Sequence, residues 1–222
     1  MHVVKTSYNG NPNIGLMVYA NDKFCLVGNL ATDKLMKELH EALKVPVHRM
    51  TLCGTDLVGV FCAGNNHMLL LPKIVFDYEL KQLDELGIKY KLIDTHLTAL
   101  GNDILCNDKA LYLNPEFPEK DQKEIHKILG LTVHQGTIAE LENVGSLGVI
   151  SNDKMVVHPD ITEDEQKKLE KLFSVECTKA TVNFGSPYLR SGCVANKHGF
   201  VIGKLSTGVE IGTIDEGLGF LG

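Results

Sequence analysis

A chain of 222 residues, 44% of them hydrophobic, has the length and apolar content to bury a sizeable core. A formal net charge of −6, with no run of four basic residues, argues against a general nucleic-acid binder, which needs clustered Lys and Arg to displace counterions from phosphates. No stretch approaches the ~20 apolar residues that span a bilayer, and Met1-His-Val-Val-Lys5 lacks the apolar run of a secretory leader, so a cytoplasmic protein without membrane contact is expected.

His2-Val-Val-Lys-Thr6 reads as a short strand with no unit before it. After it the chain repeats with a period of about 44 residues. Asn followed by a polar residue closes an apolar run at Asn21, Asn65, Asn107, Asn152 and Asn196, with spacings of 44, 42, 45 and 44. A Thr ends another segment at Thr6, Thr51, Thr95, Thr137 and Thr181. Gly28, Pro72, Pro115, Pro159 and Gly203 follow the Asn, and Gly15, Gly59, Gly101 and Gly145 precede it. The fifth unit breaks that last rule, with Arg190 in the glycine's place and Gly192 just after. Concordant series of this kind mark a repeat architecture.

The second unit is predicted to run as a strand from Val58 to Ala63, a turn at Asn65-Asn66, a strand from Met68 to Leu71 stopped at Pro72, a helix capped by Asp77 and ended by Gly87, and a third strand from Tyr90 to Ile93. The Asn is placed in the turn because it tolerates left-handed backbone. In the third unit Pro118 suits a first helical turn, with Ile125, Ile128 and Leu129 as the buried stripe. In the fourth, Thr162 and Glu165 form a capping box ahead of Leu169, Leu172 and Phe173. The fifth unit has no third strand of its own. Residues 2–6 are therefore expected to complete it and close a ring, hiding sheet edges. The fold class that follows is α/β: residues 1–222 as a single five-repeat domain, a pseudosymmetric fivefold propeller with a helix outside each sheet.

Six cysteines without C-x-x-C or zinc-finger spacing are expected to be reduced thiols in strands. Gly199-Phe-Val-Ile-Gly203-Lys204-Leu205 is one residue short of a phosphate loop and lacks its Ser or Thr, and Gly217-Leu-Gly219-Phe-Leu-Gly222 has no helix after it to receive a pyrophosphate. The nine histidines are dispersed. No cofactor or metal is expected.

In order along the chain, Asn13-Ile14-Gly15, Ala63-Gly64-Asn65 with Leu71-Pro72, Thr98-Ala99-Leu100-Gly101-Asn102 leading to Cys106-Asn107-Asp108, Val144-Gly145-Ser146, Val157-His158-Pro159 and Asn183-Phe184-Gly185-Ser186 form a specific set. With them the chain resembles the translation initiation factor six family of archaea and eukaryotes, and the absence of a longer C-terminal tail suggests an archaeal member. The resemblance implies the fivefold pentein fold. It also implies a function as a ribosome anti-association factor: a monomer that binds the large ribosomal subunit near the sarcin–ricin loop, mainly on a ribosomal protein with limited rRNA contact. It would block the small subunit until a separate release factor removes it.

The segments before each first strand repeat around one face, at 13–15, 56–59, 100–102, 144–147 and 188–192, rich in Gly and small polar groups. The resemblance points this face at the ribosome. The expected contact set is Asp56, Val58, Gly59, Gly101, Asn102, Gly145, Leu147, Tyr188 and Arg190, with Tyr188, Leu147 and Val58 as apolar anchors. Asp56 and Arg190 depart from eukaryotic relatives, which have a basic residue and a Gly there. The glycines taken one by one read more simply as permitting tight turns, and Val58, beside a turn, also reads as core. The rival reading is a guanidine-modifying enzyme of the same fold, with Cys193 as nucleophile and His198 near it. Cys193, however, occupies the same place in its unit as Cys62, which makes it a packing residue.

Overall fold

Each repeat folds as three short strands with one helix outside. The structure is a computed structural model that describes residues 1–151 and 153–221; the Asn152 of the turn series and the terminal Gly222 lie outside it. Five three-stranded sheets are present among the described residues. In the first, Val18–Ala20 pairs antiparallel with Cys25–Gly28, which pairs parallel with Val47–Met50. The pattern recurs with Ala63–Gly64, Leu69–Pro72 and Tyr90–Ile93, with Ile104–Cys106, Ala110–Leu113 and Thr132–Gln135, and with Gly148–Ser151, Lys154–Val157 and Glu176–Lys179. The fifth sheet joins Cys193–Asn196 and Gly199–Gly203 to the N-terminal Val3–Thr6, in parallel register from Val3↔Phe200 to Thr6↔Gly203. The ring closes as expected.

In four units the parallel pair needs a crossover, and a helix supplies it: Asp33–Leu43, Asp77–Glu85, Glu119–Leu129 and Glu163–Phe173. Gly208–Gly217 is the helix of the fifth unit, whose parallel partner comes from the N-terminus instead. Thr32, Thr162 and Thr207 cap three of them, each hydroxyl accepting from the N–H three residues on. The cap of the second is Phe76, one residue before the expected Asp77, and it makes no side-chain cap. Pro118 sits at the cap of the third.

Apolar packing is divided into five clusters, each lying between two adjacent sheets. Tyr8, Ile14, Leu39 and Leu43 pack with Val194 and Val201 where the fifth unit meets the first. Leu26 and Met50 pack with Leu69, Leu71 and Leu83 at the next boundary. The second strand of each unit therefore has neighbours on both faces. Four residues in a row are buried in Cys25–Gly28, Leu69–Pro72 and Ala110–Leu113, which is why these strands read as unbroken apolar runs. At about 1.5–3 kcal/mol per buried large aliphatic side chain, this inter-unit burial is the main force closing the ring.

One expected strand is different. Val58–Phe61 is a single helical turn and only Ala63–Gly64 is strand. Equivalent turns occur at Ile14–Leu16, Leu100–Asp103, Val144–Ser146 and Leu189–Gly192. Each of the five touches its two neighbours around the axis. Strands long enough to cover these residues would converge on the axis with no room for side chains; a helical turn ends each one early. Among the described residues no helix is long and apolar enough to cross a membrane.

Candidate functional site

The five helical turns form one end of an axial channel, and glycine makes their packing possible. A Cβ on Gly59 would lie 1.9 Å from the Gly15 carbonyl oxygen, one on Gly101 2.0 Å from that of Gly59, and one on Gly145 2.4 Å from that of Gly101. Gly15 stands in the same relation to Arg190, at 1.8 Å. None of these glycines has a left-handed φ. They serve close approach between units rather than the tight turns expected of them.

Outside this collar is a shallow basin of about 260 Å³ lined by Asn13, Asn102, Asn143, Ser186, Tyr188 and Ser191 among others. Tyr188 is 41% exposed at its edge, and Phe184, 82% exposed, stands on the neighbouring turn. That turn, with Asn183, Phe184 and Gly185 all at positive φ, is held by Glu210, which accepts from the N–H groups of Phe184 (3.2 Å) and Gly185 (2.8 Å) and from the Thr181 hydroxyl (2.9 Å). Burial opposes charge on Glu210, but the N–H groups of Thr207 and Gly185 and the Thr181 hydroxyl outweigh it and hold the carboxyl below its ordinary range.

The structure separates the expected contact residues into two groups. Asn102 and Tyr188 line the basin, and among the described residues the Asn102 side-chain amide has no protein hydrogen bond, its main-chain N–H donating to the Ala99 carbonyl. Val58 and Leu147 are both 0% exposed, in the clusters at the boundaries of units one and two and of units three and four, and so cannot be anchors. Gly59, Gly101 and Gly145 are buried in the collar. Asp56 is occupied internally, accepting from the Tyr8 hydroxyl at 2.6 Å and the Asn29 N–H at 2.9 Å. Burial first, and then this bond, push the Tyr8 phenol up. Arg190 lines the basin but sends its guanidinium down the axis, where it donates to the Cys62 carbonyl at 3.2 Å and lies over the Tyr19 ring at 5.8 Å. Phe184 was missed as a rim residue; its signal was a large apolar side chain between Asn183 and Gly185 in a turn.

At the other end the Asn turns meet. Asn21, Asn65, Asn107 and Asn196 do not have the left-handed backbone expected of them. The Asn21 Oδ1 accepts from the N–H groups of Lys23 and Phe24, and Asn65 and Asn107 do the same in their turns. The amide nitrogens reach across to other units: Asn21 to the Asn65 carbonyl, Asn196 to the carbonyls of Asn21 and Leu43, Asn107 to that of Phe173. Asp22 accepts from the Lys197 N–H and the Asn66 amide.

The thiols do not suit nucleophilic catalysis. Cys193 and Cys62 are fully buried, and burial pushes each up to about 12, away from the thiolate a nucleophile requires. All six cysteines are free; Cys53 lies in a turn and Cys62 just before its strand, not within strands. His198 is exposed on its Asn turn.

Comparison with known proteins agrees with this architecture. A family model described as the eIF-6 family matches residues 3–217. Proteins named translation initiation factor 6 are similar along their whole lengths. The one from Thermococcus onnurineus is 38% identical over all of both chains, and that from Pyrococcus horikoshii 37%. The one from Saccharolobus islandicus is 38% identical over 99% of this chain and 100% of its own. Among solved structures, DDAH from Pseudomonas aeruginosa aligns with a TM-score of 0.52 at 9% identity, covering 75% of this chain and 68% of that one. The N-terminal domain of ArgZ, an arginine dihydrolase from cyanobacteria, aligns with a TM-score of 0.56 at 14% identity, covering 83% and 76%. At these identities the likeness is one of fold, the pentein propeller, and carries no activity across.

Proposed function

This chain belongs to the eIF-6 family, and on that premise we propose that it acts in translation as a ribosome anti-association factor. It binds the large ribosomal subunit through the helical end of the ring, mainly on a protein beside the sarcin–ricin loop and with limited rRNA contact. Seated there as a monomer, it blocks the small subunit by overlap until a separate factor removes it. The observation that carries the reading is the basin rim. Tyr188 stands exposed there beside Asn102, whose amide has bonding capacity to offer, over a collar too tightly packed to deform. A rigid aromatic anchor with adaptable polar neighbours is the usual make-up of a protein-binding hot spot.

The charge balance supports a contact with protein over one with RNA. The enzyme reading loses its support where Cys193 is concerned, because burial works against the thiolate. Sedimentation with purified large subunits, followed by light scattering on addition of small subunits, tests the proposal. The protein is expected to co-sediment and to lower the joining amplitude in a concentration-dependent way. Failure in both removes the ribosomal reading, and rapid alkylation of Cys193 at neutral pH restores the enzymatic one.

A further inference from the structure

Arg190 separates the two ends of the axis. It lines both the basin at the helical end and the channel beneath it. Below it the channel is a blind well of about 80 Å³ with Tyr19, Gly64, Cys106 and Ile150 in its wall, opening into a mouth of about 210 Å³ at the Asn-turn end. Only Arg190 among the five equivalent positions carries a side chain; the other units have Gly15, Gly59, Gly101 and Gly145. The fold thus does not require a cation here.

A guanidinium has five N–H donors. Among the described residues the protein gives this one a single acceptor, the Cys62 carbonyl, and no carboxylate partner. The only other arginine, Arg49, is paired with Asp33. A half-buried cation with free donors beside a small-walled cavity is costly without a counter-charge. At the mouth Asp22 and Asp108 are already engaged by the Lys197 N–H and by Asn66, while Lys109 and Lys197 are also among its lining residues. We infer that the well holds a small oxyanion, a phosphate or a carboxylate, taken in two parallel N–H bonds by the Arg190 guanidinium. At about 80 Å³ the well has room for a small ion. The site lies below the docking face and does not depend on the ribosomal reading.

Two arginines give two side-chain Nε–H resonances, so the full-length ¹⁵N-labelled protein reports directly. It is titrated with inorganic phosphate, and separately with formate, at ionic strength held constant with chloride. The Arg190 signal is expected to shift saturably while Arg49 stays put, and the Gly64 and Cys106 amides should move with it. A response to phosphate alone assigns a tetrahedral ion and one to formate alone a planar carboxylate. Arg190→Lys keeps the charge but removes the fork, and should abolish the saturable shift of the two amides. The inference is overturned if Arg190 moves no more than Arg49 with both ions, or if the amides respond equally in Arg190→Lys.

Discussion

At the helical end of the ring the five units meet through backbone, and at the Asn-turn end they meet through side chains. The Gly59–Gly15 and Gly101–Gly59 contacts leave no space for a Cβ, so the inner collar meets backbone to backbone, with side-chain bonds such as Asn183 to the Pro12 carbonyl and Tyr8 to Asp56 lying outside it. At the other end Asn21, Asn66, Asn107, Asn196 and Asp22 are the joints themselves, bonded across unit boundaries. Where backbone does the joining, side chains such as Asn102 and Tyr188 remain free to meet a partner on a stiff platform. Where side chains do the joining, little bonding capacity is left. This asymmetry is the physical reason for assigning the helical end to docking.

The strongest way to break that contrast is to put a side chain into the collar. Gly101→Ala should destabilise the fold by about 3 kcal/mol in urea denaturation, because the new methyl meets the Gly59 backbone and neither turn can retreat. Gly212→Ala, in the outer helix of the fifth unit with nothing within 4 Å of the added carbon, should instead stabilise by about 0.5–1 kcal/mol. A gain or no loss at Gly101, as at Gly212, would show that the collar is looser than its contacts indicate.

The converse experiment removes a side chain. Asn196→Ala at the Asn-turn end leaves the carbonyls of Asn21 and Leu43 without their donor and should cost about 2–3 kcal/mol in the same measurement. Asn102→Ala at the helical end should change stability by less than about 0.5 kcal/mol. A large loss at Asn102 would mean that its amide belongs to the fold.

A smaller effect distinguishes the ends by pH. Glu210 fastens the Phe184 turn at the helical end, and its carboxyl is held below its ordinary range. Its stabilising contribution is therefore complete above the unfolded-chain value near 4.3 and is lost as pH falls through the lower folded value. Glu210→Gln should show a shallower loss of stability between about pH 5 and 3 than the parent. Identical slopes would place the acid sensitivity elsewhere.

These tests also mark what the amino-acid sequence makes legible. The period, the ring closure by residues 2–6 and the outer helices follow from it directly, because apolar runs and caps are local signals. The reasons behind the markers do not. The Gly series serves contacts 44 residues away. Three of the Thr series donate to the next unit's helix, Thr6 to Glu38, Thr51 to Glu79 and Thr181 to Glu210. The Asn turns reach across the channel mouth. Each is a bond between units, invisible to a reading made one unit at a time. The candidate site suffers the same way. Val58 and Leu147 lie beside the right turns but point into inter-unit clusters, Arg190 points down the axis, and only Asn102 and Tyr188 face outward.

The last test leaves stability untouched and reads the contrast in binding alone. Tyr188 is exposed at the helical end and Lys197 at the Asn-turn end, and the Lys197 side chain has no ion pair among the described residues. Truncating either to Ala should move the urea midpoint by no more than an ordinary surface change. If the helical end docks, Tyr188→Ala should weaken sedimentation with large subunits about tenfold, since an exposed aromatic anchor supplies a disproportionate share of an interface. Lys197→Ala should bind as the parent does. If docking used the Asn-turn end, an approach to anionic rRNA would make Lys197→Ala the weaker binder and steepen the difference at low salt. The two single variants thus tell which end of the ring meets the ribosome, without a change in fold to confuse the result.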